Sequence, residues 1–235
     1  MWTVTSQSRA LLRDHALSEI AADVLAHDER VRDFSVEVRF DRGVALVSGA
    51  VRYPAQARLL RELLGRLDGV LAVWDRLWVD GRPPVVVDVR CSTDPRCTAT
   101  TGTERRPDEA APLVADALRR LPLADASVDR LYAVHVLEFL PDYLPLIDDC
   151  HRVLRADGVL HLMAPYWQHP DAVADPTLRR LLDVQTVKGI CTRPGAPQWF
   201  PLHAACDGES VFADLVPLPS PDSAADDVWL SRFFD

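Results

Sequence analysis

Apolar residues recur along the first part of the chain with two different periods. Between Ser8 and about Asp28, Leu12, Ala16, Ile20 and Val24 fall four apart, with Leu17 and Leu25 beside them. That is the stripe of an amphipathic helix. Phe34, Val36, Val38 and Phe40 then alternate with polar neighbours, which predicts a half-buried strand. Asp41-Arg42-Gly43 predicts a three-residue hairpin loop with Gly43 at its left-handed position, and Val44–Val51 the returning strand. Pro54–Leu67 is helical again, with proline in the first turn and Asp68-Gly69 as its stop, and Val70–Val79 predicts a third strand. Gly81-Arg82-Pro83-Pro84 reads as a linker, because consecutive prolines exclude helix.

Beyond the linker the pattern changes. Val85–Val89 is a short, β-branched run of the kind a central parallel strand needs, and Thr98–Glu104 predicts a second strand. Val128–Val134 predicts a buried strand, Asp142–Arg155 a helix, Asp157-Gly158 a turn, and Val159–Ala164 another buried strand. Strand, helix and strand in that order make a βαβ unit with parallel strands. Ser210–Leu218 and Val228–Phe234 read as an antiparallel closing pair. The fold expected is α/β, a Rossmann-like sheet over residues 85–235, preceded by a small α+β unit over residues 1–80.

Composition narrows the function classes. With 235 residues, 48% of them hydrophobic, the chain can bury a sizeable core in one or two domains. A formal charge of −9 argues against nucleic acid and anionic lipid as partners. Lys188 is the only lysine among 26 basic residues, a usage expected of a GC-rich bacterial genome. Arg9, Arg13 and Asp14 interrupt any apolar run of signal-peptide length, and no window approaches a membrane span. The five cysteines are odd in number and never form C-x-x-C, which predicts a reduced, cytoplasmic protein. Cys91, Cys97 and the Cys150-His151 pair lack metal-ligand spacing, so no metal site is expected.

Three markers in the first part point the same way: the hairpin around D-x-G-V, the segment L-V-S-G-x-V from Leu46 to Val51, and D-G-V-x-x-V from Asp68 to Val73. With the order α-β-β-α-β, residues 10–80 resemble a BON domain. The resemblance implies a non-catalytic module for lipid or protein attachment. Without a predicted export signal, the expected use is docking within the chain or to a protein partner.

In the second part, L-P-L-A-D-A-S-V-D-R-L-Y-A-V-H-V-L-E-F-L-P-D runs from Leu121 to Asp142 and C-H-R-V-L-R-A-D-G-V-L-H-L from Cys150 to Leu162. A-P-Y-W-Q-H-P-D-A-V-A-D-P-T follows from Ala164 to Thr177. These segments resemble class I S-adenosylmethionine-dependent methyltransferases of the type-11 group. The resemblance implies S-adenosylmethionine as cofactor, bound across the carboxyl ends of the parallel strands. It makes Asp88 the acidic residue of the first strand, and Glu104 the carboxylate whose two oxygens take the ribose hydroxyls. Asp116, followed by Ala117, stands at the adenine position, and His135 beside the methyl-transfer centre. Tyr166, Trp167, His169 and Asp175 fall where a substrate lid would lie.

The family's glycine-rich loop, D-x-G-x-G-x-G, is rewritten. Aligned from Asp88, the chain places Arg90, Ser92 and Asp94 at the three glycine positions, with no glycine between Gly81 and Gly102. Side chains there compete with the cofactor for space or change the turn. Arg90 and Ser92 remain the residues that would face the methionine moiety. L-E-H-L is Leu137-Glu138-Phe139-Leu140, R-P-G-G is Arg155-Ala156-Asp157-Gly158, and D-P-T-H is Asp175-Pro176-Thr177-Leu178. Two functions are compatible with this pattern. One is a methyltransferase acting on a small molecule; the other is a pseudo-methyltransferase that serves as an assembly or regulatory module through its BON-like domain. A lipid-surface adaptor is a third. No single catalytic residue is assigned; His135 is read either as a substrate-orienting group or as a structural hydrogen-bonder, and His151 and His161 as structural.

Overall fold

In the computed structural model, the described residues are 6–89, 112–113 and 120–218. They form two compact units, Met1–Pro84 and Val85–Asp235.

The first unit opens with helix α1 (Ser6–His27) and the hairpin β1 (Ser35–Asp41) and β2 (Val44–Val51). Asp41 pairs with Val44, so the connecting loop has two residues rather than the three expected. Arg42 and Gly43 both take positive φ, 47° and 85°, the pattern of a tight primed turn. An arginine tolerates it because Asp14 of α1 accepts both loop N–H groups, at 2.6 and 2.7 Å. Helix α2 (Pro54–Gly65) starts where Gln56 Oε1 accepts the N–H groups of Arg52 and Tyr53. It turns Ala57, Leu60, Arg61 and Leu64 inward. The expected third strand is two, β3 (Ala72–Asp75) and β4 (Trp78–Val79), both parallel to β2. The break follows Asp75, which is fully buried and holds the Arg61 guanidinium at 3.0 Å, while the Arg76 N–H bonds Val47. Gly49, at φ +120°, lies so close to β1 that a Cβ would meet the Ser35 carbonyl at 2.2 Å.

The second unit is a six-stranded sheet. Its strands are β5 (Val86–Val89), β6 (Pro112–Leu113), β7 (Val128–Val134), β8 (Leu154–Pro165), β9 (Trp199–Cys206) and β10 (Ser210–Pro217). Their order across the sheet is β6-β5-β7-β8-β10-β9. The first four are parallel, and β10 runs antiparallel between β8 and β9. All seven residues of β7 are buried, as a central strand flanked on both faces requires. On one face Val87, Leu131, Leu160 and Leu215 lie in register and join α3 (Leu144–Val153) and α5 (Val184–Cys191) in a single core. The one-turn α4 (Asp171–Ala174) lies between them in sequence. The other face carries a buried polar row, Asp88, Tyr132, His161 and Asp214, side by side across four strands.

Two expectations change. Strand β8 begins at Leu154, and the residues around the expected Asp157-Gly158 turn form an excursion within it, where the register slips between Val128 and Arg130. Gly158 is needed there, since a Cβ would meet the Arg155 carbonyl at 2.9 Å. The partner of β10 is β9, a strand the sequence pattern hides because Pro201 interrupts it. Proline is tolerated because β9 is the sheet edge, and Pro201 pairs with Leu215 at a register shift. The expected strands Thr98–Glu104 and Val228–Phe234 lie outside the described residues; the strand found beside β5 is Pro112–Leu113. No helix among the described residues is long and apolar enough to cross a membrane.

Candidate functional site

The chain leaves β5 for β6 on one side and later returns to β7 on the other. The carboxyl ends of β5 and β7 thus form a topological switch point, the place where open parallel sheets hold ligands. Asp88, one residue before the end of β5, is 1% exposed, and it stands in register with Tyr132 of β7. Tyr132 stacks on His161 with ring centroids 4.6 Å apart, and His161 Nδ1 lies 2.7 Å from Asp214 Oδ1. His161 is therefore locked inside the sheet, the structural part expected of it. His151 also has a structural setting: its ring meets the carbonyls of Gln198 and Leu218 and the edge of Trp199.

His135 directly follows β7 and adopts φ +54°, in the left-handed region where a non-glycine residue is strained. Such a conformation costs on the order of 1–3 kcal/mol and is held by its surroundings. Here the holding bonds are the His135 N–H to the Met163 carbonyl at 2.9 Å and Nδ1 to Glu138 Oε1 at 3.0 Å. Glu138 comes back beneath the ring because a 3-10 turn spans Leu137–Phe139. Sequence reasoning missed Glu138 as a site residue. The available signal was the three-residue spacing from His135 across a tight turn.

Tyr166, Trp167 and His169 follow β8. The Tyr166 and Trp167 rings meet edge-on at 6.1 Å, and Trp167 stays exposed. The Trp167 N–H bonds the Leu182 carbonyl and closes the segment 166–182 on itself, and the N–H groups of Arg179 and Arg180 bond the Glu138 carbonyl in the turn after β7. Asp175 faces its own loop, accepting from the Thr177 N–H and hydroxyl. The structure thus brings Asp88, His135 and Glu138 to adjoining strand ends. Arg90, Ser92, Asp94, Glu104, Asp116 and Ala117 lie outside the described residues.

Burial pushes the Cys150 thiol far up, and that of Cys191 up to about 12, so neither is a nucleophile near neutrality. Among the described residues no group of three or more His, Cys, Asp or Glu could hold a metal ion.

Residues 85–162 match the family model described as a methyltransferase domain. The second unit has a class I methyltransferase fold. The cofactor this implies is S-adenosylmethionine. Solved structures give distant likenesses. A Mesorhizobium loti S-adenosylmethionine-dependent methyltransferase is 14% identical, with 57% of this chain and 90% of that one covered and a TM-score of 0.42. A type 11 methyltransferase described as putative, from Sulfolobus solfataricus, is 17% identical over 60% and 88%, with a TM-score of 0.38. The fold assignment rests on the strand order and the family match, not on these similarities. No curated protein matches the chain significantly.

The described residues fit the cofactor in chemical type. It carries a sulfonium cation, an ammonium group and hydroxyl donors, and a buried carboxylate, Asp88, stands one residue before the carboxyl end of β5. Buried carboxylates require donors or cations as partners.

Proposed function

We propose that the second unit is an S-adenosylmethionine-dependent methyltransferase acting on a small molecule. The observation that carries this is the β5–β7 switch point within the stretch that matches the methyltransferase domain. Bound there, the cofactor supplies an electrophilic methyl group. Asp88 would hold the cofactor from the end of β5, Arg90 and Ser92 would face its methionine moiety, Glu104 would take the ribose hydroxyls, and Asp116 with Ala117 the adenine. His135 borders the reacting centre. Tyr166, Trp167, His169 and Asp175 belong to the segment that would cover the acceptor. Methyl transfer between aligned atoms depends mainly on proximity and orientation, which such an enclosure supplies.

A second reading has its own support. Arg90, Ser92 and Asp94 replace the three loop glycines, and Asp94 adds a like charge near the cofactor's carboxylate. This favours a pseudo-methyltransferase that keeps the scaffold as an assembly or regulatory module. In either case the first unit would be a BON-type module that docks onto a protein partner, its hairpin and two helices matching the element order of that family. A negatively charged protein of this kind would work in the cytoplasm, away from nucleic acid and membranes.

The placement of the site is testable by thermal shift with S-adenosylhomocysteine. Glu104→Ala and Asp116→Ala are each expected to weaken binding by about tenfold or more, the loss of a charge-assisted hydrogen bond. Unchanged affinity in both variants would show that the resemblance misplaces the site.

A further inference from the structure

We propose that strand β1 is a docking edge for a second copy of this chain. Two β1 strands pair antiparallel about Val38 and join two four-stranded sheets into one. This gives the docking role of the first unit a partner, and it does not depend on methyl transfer by the second.

One edge of the first unit's sheet is left open. Among the described residues that sheet ends on β1 at one side and on β3 and β4 at the other. The β3–β4 side is broken after four residues, and the β9 edge of the second unit carries Pro201 and a register shift. Short strands, prolines and bulges blunt an edge against pairing. Strand β1 has none of these: its seven residues run in unbroken register with β2 and include no proline. Its unpaired groups can be identified. The carbonyls of Val47 and Val51 accept from Arg76 and Asp80 on the β3–β4 side, so Leu46, Ser48 and Ala50 turn toward β1. Their partners there are Arg39, Glu37 and Ser35. Bonding direction alternates along a strand, which turns the N–H and C=O groups of Val36, Val38 and Phe40 to the edge.

The edge is complementary to itself. In a two-fold pairing centred on Val38, the middle residue of β1, Glu37 faces Arg39 of the second copy and Arg39 faces its Glu37. Both side chains stand in solvent, 70% and 75% exposed, and approach each other within one strand only to 3.8 Å. In the new ladder they take non-hydrogen-bonded positions, where strands approach to about 4.5 Å between Cα atoms and side chains across the pair are closest. A parallel, in-register pairing would instead set Glu37 beside Glu37, and like charges directly opposite are destabilising. The apolar positions agree. Val36, Val38 and Phe40 pack against the core of the first unit yet stay half-buried, since no strand among the described residues lies beyond them. Pairing sets Val38 against Val38, and Val36 against Phe40 of the second copy, and covers that surface. The contact uses the same edge on both copies, so it closes at a dimer.

The test is sedimentation of the full-length protein, with Glu37→Arg, Arg39→Glu and the double variant carrying both. Wild type should pass reversibly from the 26.2 kDa monomer to a dimer and no further. One strand pairing is at the small end of specific interfaces, so the dissociation constant should be on the order of tens of micromolar. Each single variant opposes like charges at two symmetric places and should raise that constant about tenfold. The double variant exchanges the charges and should recover wild-type association. An equimolar mixture of the two single variants should recover it too, because each offers the charge the other lacks. In the wild type, amide exchange at Val36, Val38 and Phe40 should slow as the dimer forms, while Glu37 and Arg39, already bonded to β2, stay unchanged. A species larger than a dimer, single variants that associate like wild type, a double variant no better than either single one, or protection that misses Val36, Val38 and Phe40 would each overturn the inference. A monomer at millimolar concentration would overturn it as well and leave the docking role to a different protein. Cofactor binding is measured separately, so the methyltransferase reading stands or falls without regard to these results.

Discussion

Asp75 and Ala126 occupy positions where a single side chain decides a measurable part of stability. Asp75 is buried with Arg61 as its partner at 3.0 Å, so removing the carboxylate takes a buried countercharge from the guanidinium in the core of the first unit. Asp75→Ala should cost about 3–5 kcal/mol, read from the denaturant midpoint. A loss below about 1 kcal/mol, the range of exposed pairs, would contradict the buried-pair account. Ala126 adopts φ +49° on an exposed loop whose N–H bonds the Arg152 carbonyl. Ala126→Gly removes the left-handed penalty, only partly offset by the flexibility glycine adds to the unfolded chain. It should gain about 0.5–1 kcal/mol, visible as a raised melting temperature. A lowered one would contradict the strain assigned to that loop.

Elements of the second unit are joined by His151, which links α3 to the carbonyls of Gln198 and Leu218 at 3.1 Å each. Burial lowers its pKa below the ordinary imidazole value, against the smaller opposing effect of those carbonyls. The unfolded chain therefore binds this proton more readily than the folded one. The contribution to stability is complete above the unfolded value near 6.5 and is lost as pH falls through it toward the folded value. His151→Gln should flatten the decline in stability measured between about pH 7.5 and 5.5. An unchanged slope would place the pH dependence elsewhere. How much of these elements could be read from the sequence depended on how local their causes are. Val128–Val134 was legible because every residue is buried, giving a continuous run. Strand β9 was not, because Pro201 disguises an edge strand whose partner fixes it across the sheet. The split of β3 from β4 and the two-residue hairpin loop depend on Asp75–Arg61 and on Asp14, contacts between residues far apart in sequence. Asp88 and His135 could be placed at the ends of their strands from the sequence. Glu138 could not, because a lone glutamate in L-E-F-L gives no sign that a tight turn buries it beneath a histidine.

At the scale of the molecule, two units have separate cores, and the chemistry assigned to the chain belongs to the second. Its strand order, with the switch point between β5 and β7, and its match to the methyltransferase domain agree with one another. The rewritten loop from Arg90 to Asp94 is the one part of the pattern that pulls toward a scaffold without catalysis. Cofactor binding separates the two most directly, since the methyltransferase account requires it before any acceptor is known. Titration of the full-length protein with S-adenosylmethionine by calorimetry should show saturable heat with a stoichiometry of one. No heat and no thermal shift at millimolar cofactor would contradict the account and leave the scaffold reading.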